Sequence, residues 1–249
     1  MTTRGALSIG IAVVVGLLAW KAIVVLGGYP PFILPSPETV GSRFVDAWAR
    51  GTIQPHFVAT LQEIGFGFAV GAALAVVCGY ALARSTLLER VLSPYIVAAQ
   101  ATPILALAPV LYLWFGPGLL GKVLICALIV FFPIAVATMV GIRSIDAGLI
   151  ELGRSLRATR RQVLTTLEIP AALPSILGGM RVGVTLAVVG AIVSEWAGAS
   201  RGLGVLVNLA RGSLFDIPLM FATLVTIALV GIGLYVAVVL VERRLVGVR

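Results

Sequence analysis

The sequence predicts an all-α polytopic membrane protein with six transmembrane helices, on two observations. Hydrophobic residues make up 60% of the chain and charged residues 11%, and the mean hydropathy is +1.11, well above the roughly 45–50% apolar share of soluble domains. The apolar residues also fall in continuous blocks near or above the roughly 20 residues that carry a helix across a hydrocarbon core about 30 Å thick, unlike the alternating segments of a barrel. A single transmembrane domain is expected over residues 1–249.

The spans are placed at about 6–27, 57–83, 91–115, 119–141, 176–195 and 219–241. Arg4 followed by "ALSIGIAVVVGLLAW" resembles the start of a signal peptide. Apolar character resumes after Lys21, however, and no small-x-small cleavage site precedes it, so the segment reads as a retained helix. Between spans, Arg4, Arg84, Arg90, the Arg143–Arg161 group and Arg243, Arg244 and Arg249 fall on one side. Arg43, Arg50, Arg201 and Arg211 fall on the other, offset by Glu38, Asp46 and Asp216. The positive-inside rule then puts both termini in the cytoplasm. The net charge of +8 belongs to these loops and gives no reason to expect nucleic acid as a partner. Cys78 and Cys126 lie inside apolar spans and read as small hydrophobes, with no disulfide framework or metal motif.

After the first span, "LPSPETVGSRFVDAWARG" turns helical. Ser36 is the expected N-cap, Pro37 suits the first helical position and Glu38 the first turn. Val40, Phe44 and Trp48 recur every four residues and give one apolar face, expected to lie at the outer membrane interface.

Polar residues inside spans are costly and each needs a role. Lys21 and Lys122 lie near span ends and are expected to snorkel. Glu63 either pairs with a neighbouring helix or faces a cavity, with pairing favoured. His56, the only histidine, reads as an interfacial residue. In the third span, Gln100, Pro103 and Pro109 stand in "AAQATPILALAPVLYLWFG". Proline frees carbonyls that lipid cannot satisfy, so this span is expected to line a pathway, with Gln100 and Pro103 as candidates.

The polar island from Arg143 to Ser175 holds five arginines against Asp146, Glu151 and Glu168. Leu152, Leu156, Val163, Leu164 and Leu167 recur at three- and four-residue steps, predicting two short amphipathic helices that end at Pro170 and Pro174.

This island resembles the EAA loop of ABC importer permeases, whose pattern is Glu-Ala-Ala, three residues, Gly, nine residues, Ile-x-Leu-Pro. Glu151 opens it, Leu152 and Gly153 replace the alanines, Arg157 takes the glycine place, and Leu167, Ile169 and Pro170 close it, with "AALPSI" following through Pro174. Arg157 leaves two arrangements open: a right-handed turn, or a break moved to Ala158 and Thr159. "LPSPETV", "LWFG", "FPIAVATMVGIRSID" and "GLGVL" are similar to the permeases for aliphatic sulfonates, taurine, nitrate and thiamine pyrimidine precursors. The family core would cover about 57–245.

The resemblance implies a type I ABC importer permease fold and a non-enzymatic subunit. Its partners would be cytoplasmic ATPase subunits, an extracytoplasmic binding protein and a second permease chain, either a copy or a paralogue. Glu151, Gly153, Ser155, Leu156, Arg157, Ala158, Thr159, Arg160, Arg161, Leu167, Ile169, Pro170 and Pro174 would form the ATPase-coupling loop. The chain has no GxxxxGK[ST] loop of its own, so nucleotide would bind the partner and no cofactor is expected here.

Glu195 and Trp196, in "SEWAGASRGLG", are candidate pathway residues, with a structural helix-end role for Glu195 as the alternative. As a pathway acid, Glu195 would repel sulfonate or nitrate and tolerate a neutral or cationic ring, on which Trp196 would stack. The motif looks more like permeases for vitamin-type heterocycles, such as thiamine pyrimidine precursors or riboflavin, than the sulfonate branch. An ion-coupled secondary transporter is the rival class. It would call for inverted repeats and paired intramembrane carboxylates, neither of which is evident from the sequence.

Overall fold

The computed structural model describes residues 3–102, 104–116 and 118–247, and all regular structure among them is helical. In chain order the helices are α1 (Thr3–Gly27), α2 (Pro37–Ala49), α3 (Gln54–Arg84), α4 (Thr86–Ala101), α5 (Ile104–Phe115), α6 (Leu119–Arg143), α7 (Ala147–Ser155), α8 (Arg160–Val163), α9 (Ile169–Trp196), α10 (Leu203–Arg211) and α11 (Ile217–Val246). A π-helical stretch, Leu164–Glu168, joins α8 to α9. Helices α1, α3, α6 and α11 are each long and apolar enough to cross a membrane, as is the continuous run Arg160–Trp196.

Helices α3, α6 and α9 form the centre, and their facing sides explain why. Along α3, Gly67, Gly71, Ala75 and Gly79 recur every four residues, the small-xxx-small pattern that lets helix backbones approach closely. A Cβ at Gly71 would lie 2.6 Å from the Ala127 carbonyl oxygen, and one at Gly79 would lie 2.5 Å from that of Ala135. On α9, a Cβ at Gly179 would meet Ala137 at 2.5 Å, so the opposite side of α6 is matched in the same way. The apolar core includes Ile64, Ala72, Val130, Ile134, Ala187 and Ala191 along these contacts. Cys126 belongs to it too, its Sγ donating to the Ala187 carbonyl at 3.0 Å.

Helix α2 has the cap read from the sequence: the Ser36 hydroxyl accepts from the Thr39 N–H at 3.3 Å, with Pro37 in the first turn. Its apolar face turns inward on protein as much as outward on the interface. Val40 and Ala47 are buried, and Trp48 meets Phe57 of α3 edge-on with ring centres 5.4 Å apart. Arg43 ties α2 to the start of α11, its Nη2 2.7 Å from Asp216 Oδ2.

Two predicted elements are corrected. The third span is not one straight helix: α4 and α5 meet at a bend of 102°. Thr102 is extended, with φ −76° and ψ 125°, the conformation that a following proline imposes on the residue before it. The loop helices also do not stop at Pro170 and Pro174. Pro170 lies in the first turn of α9 and Pro174 inside it, and helix runs from Arg160 to Trp196. The π turn just before Pro170 widens the helix where the proline ring would otherwise crowd the carbonyl four residues back.

Candidate functional site

The loop between α6 and α9 folds as two helices around a left-handed turn. Helix α7 ends in a Schellman arrangement, with the Ala158 N–H donating to the Gly153 carbonyl at 3.0 Å. Arg157 stands where glycine is usual, at φ +54°. Neither arrangement left open from the sequence is adopted: the turn is left-handed and stands at Arg157 itself. An L-residue there costs roughly 1–2 kcal/mol, which the surrounding bonds hold in place. Helix α8 starts immediately after, with Thr159 and Gln162 forming a reciprocal capping box: the Gln162 N–H donates to Thr159 Oγ1 at 3.3 Å and the Thr159 N–H to Gln162 Oε1 at 2.8 Å.

Gly153 has a packing reason to lack a side chain, because a Cβ there would lie 3.2 Å from Leu167 Cδ1. The turn therefore presses close against the π stretch. Within that stretch the Thr165 and Thr166 hydroxyls donate to the Arg161 and Gln162 carbonyls at 2.9 and 2.5 Å. These bonds satisfy acceptors that a widened turn strains. Glu151, Ser155, Leu156, Arg157, Arg160 and Arg161 all face outward. Leu156 is 74% exposed, and among the described residues Arg157, Arg160 and Arg161 form no ion pair. Ile169 is exposed and Ala158 half-buried. The loop thus offers a protruding apolar side chain ringed by free cations.

The pathway candidates are not all together. Gln100 on α4 borders an open groove of about 820 Å³, whose other walls include Phe132, Val136, Ser175, Gly179 and Val182 from α6 and α9. Pro103 lies outside the described residues. Glu195 is only 2% exposed and is enclosed by protein. Thr60 donates to its Oε1 at 2.5 Å and the Gly204 N–H to its Oε2 at 2.5 Å. Trp196, half exposed, donates through Nε1 to the Gly204 carbonyl at 3.1 Å. "EW" and "GLG" therefore form one clasp holding α10 to α9. Gly202 at φ +146° is needed in it, since a Cβ would fall 2.1 Å from Glu195 Cδ.

Beside that clasp lies an ion pair that sequence reasoning missed. Lys122 does not snorkel: it is 8% exposed, with Nζ 2.5 Å from Glu63 Oε1 and 3.4 Å from the Arg201 carbonyl. Glu63 also accepts from Ser194 at 3.2 Å. Pairing of Glu63 with a neighbouring helix was expected; Lys122 as the partner was not. Glu63 and Glu195 are both buried in this region, each held by its own protein donors. His56 is also engaged: its Nδ1 lies 2.8 Å from the Gly202 carbonyl oxygen and 3.1 Å from the Gly202 nitrogen.

With this geometry in view, the comparisons are decisive. The chain is 46% identical to the riboflavin transport system permease protein of Chloroflexus aurantiacus, over 97% of this chain and 90% of that one. It is 37% identical to the formylaminopyrimidine transport permease protein of Halalkalibacterium halodurans, over 86% and 85%. Its fold matches a chain of the MetNI methionine ABC transporter in an inward-facing conformation at TM-score 0.63, with 20% identity over 78% of this chain and 94% of that one. Family members are not enzymes themselves, and ATP hydrolysis resides on a separate subunit. Residues 67–247 match the binding-protein-dependent transport system inner membrane component, and the chain belongs to that family, the integral inner-membrane permeases of ABC importers.

Proposed function

We propose that this permease docks its ATPase subunits through the loop Glu151–Arg161 and carries a vitamin-type heterocycle, riboflavin or a thiamine pyrimidine precursor. The observation that carries the docking reading is the turn at Arg157: a strained, double-capped corner that presents Leu156 and three exposed arginines to the outside. Such a corner transmits push and pull as a rigid body. Its cations would meet acidic groups of the ATPase, with anionic lipid headgroups as the competing partner. On this reading both termini are cytoplasmic. A second permease chain, either a copy or a paralogue, closes the pathway along the groove beside Gln100.

The substrate preference rests on the relatives, at 46% identity to a riboflavin permease and 37% to a formylaminopyrimidine permease. The argument from Glu195 as a pathway acid lapses, because its carboxylate is occupied by Thr60 and Gly204; Glu195 is assigned to the clasp. Gln100 is kept as a pathway residue, and so is Trp196, whose exposed ring is free to stack. Aliphatic sulfonate is the alternative cargo, from the motifs shared with that branch.

The test is co-expression with candidate ATPase and binding-protein partners. Stable association, followed by calorimetry of the binding protein with riboflavin, a formylaminopyrimidine and taurine, is expected to give selective binding of a heterocycle. Selective binding of taurine would overturn the substrate assignment, and failure to associate with any cognate ATPase would overturn the docking reading.

A further inference from the structure

The geometry points to Glu168 as the positioning residue that carries motion of the loop into α3 and on into α4, an inference that rests on the ATPase-docking reading. Glu168 closes the π stretch at the base of the loop and is 1% exposed. A carboxylate buried there is tolerable only if paired, and both its oxygens are held from α3. Arg84 Nη2 donates to Oε1, and the Tyr80 hydroxyl donates to Oε2 at 3.1 Å. Arg84 in turn donates through Nε to the Tyr80 oxygen at 3.3 Å, with its guanidinium 5.6 Å from the ring centre. The three side chains lock one another.

What surrounds this bridge gives it a mechanical role. Cavities of about 480 Å³ and 260 Å³ flank it, the first bordered by Tyr80, Arg84, Ile150 and Arg160, the second by Arg84, Ile145, Glu151 and Glu168. Force on α7 or α8 therefore reaches the end of α3 across gaps, through a charged bridge seated on a wide helical turn. A π turn absorbs a change of helix direction without severing the ladder.

Arg84 is the last residue of α3, and Ser85 both ends α3 and caps α4. Helix α4 buries none of its own side chains. Its base is pinned by Arg143 at the end of α6, whose Nη1 and Nη2 lie 2.5 and 2.7 Å from the two Glu89 oxygens. A shift of Arg84 thus moves the pinned root of a lightly packed helix, and α4 carries Gln100 into the groove. The route runs from the loop through Glu168 and Arg84 to α4.

The test is hydrogen exchange on the assembled complex of this chain with its ATPase, with and without ATP plus vanadate. In the wild type, trapping is expected to change exchange across residues 86–101 at least threefold. Glu168→Gln keeps the shape and the Tyr80 contact but removes the charge. It is expected to retain ATPase association and hydrolysis within about twofold while losing that nucleotide-dependent change. Exchange in the nucleotide-free complex should stay as in the wild type, which a purely structural role would not predict. Tyr80→Phe, which deletes one hydroxyl and leaves the ion pair, supplies the reading if Glu168→Gln fails to assemble, and is expected to weaken the change about twofold or more. Assembled Glu168→Gln or Tyr80→Phe complexes with the full wild-type response would overturn this inference alone. A wild-type chain that does not bind the ATPase would overturn both this inference and the docking reading.

Discussion

The α10 clasp and the outer corner of the loop treat charge in opposite ways. At the α10 end, Glu63, Lys122 and Glu195 are buried with donors and acceptors matched. At the loop corner, Arg157, Arg160 and Arg161 are exposed and form no ion pair among the described residues, on a turn held at a positive φ. Buried charge that has its partners within the chain holds a shape, because losing one partner strands the other in low dielectric. Exposed charge without a partner contributes little to the isolated fold and is available to another surface. The difference separates scaffold from interface.

The sharpest way to break that contrast is to unpair each end. Lys122→Met strands Glu63 and is expected to destabilise the protein by about 3–5 kcal/mol, read as a fall in thermal midpoint in detergent. Arg160→Glu with Arg161→Glu is expected to change the same midpoint by less than about 0.5 kcal/mol equivalent. Comparable losses from both would erase the distinction.

A smaller effect is expected from Gly71→Ala, since the added Cβ meets the Ala127 carbonyl oxygen at 2.6 Å. Overpacking of that kind costs about 1–3 kcal/mol and should appear in the same melt. Smaller still, and opposite in sign, Arg157→Gly should stabilise the isolated chain by roughly 0.5–1 kcal/mol, as relief of the left-handed strain outweighs the added chain entropy. If Arg157→Gly also keeps ATPase association, the turn matters more than that one charge.

The smallest effect concerns Glu38, whose hydrogen bond from Lys21 holds its carboxyl at about 2, below the ordinary 4.5. A depressed carboxylate contributes stability above 4.5 that is lost only as the pH falls toward 2. The pair is about half exposed and screened, so stability should be flat in this respect from pH 5 to 8. A wild-type midpoint that shifts between pH 5 and 8, with the shift abolished in Lys21→Met, would contradict it.

Much of this was legible in the sequence because it depends on local pattern. Apolar block length placed α3, α6 and α11 within a few residues of their ends, and Ser36 with Pro37 marked the start of α2. The loop's spacing from Glu151 to Pro170 narrowed the turn to Arg157 or to a break at Ala158 and Thr159, and it stands at Arg157. Its handedness was not legible, because an arginine, unlike a glycine, carries no signal of a left-handed backbone. Lys122 was misread because its partner is 59 positions away, which no periodicity reports. Glu195 was ambiguous for the same reason, since Thr60 and Gly204 meet only in the fold. The glycine stripe of α3 was present in the sequence and is the signal that would have placed α3 against α6.

The central claim is that the exposed arginine corner is where the ATPase docks, and the most direct measurement is co-purification of the ATPase with the Arg157→Glu, Arg160→Glu, Arg161→Glu triple variant, checked for an unchanged melt. The account predicts that the folded variant loses at least about tenfold in ATPase affinity, the loss of roughly 1.4 kcal/mol. Wild-type association by a folded triple variant would contradict it.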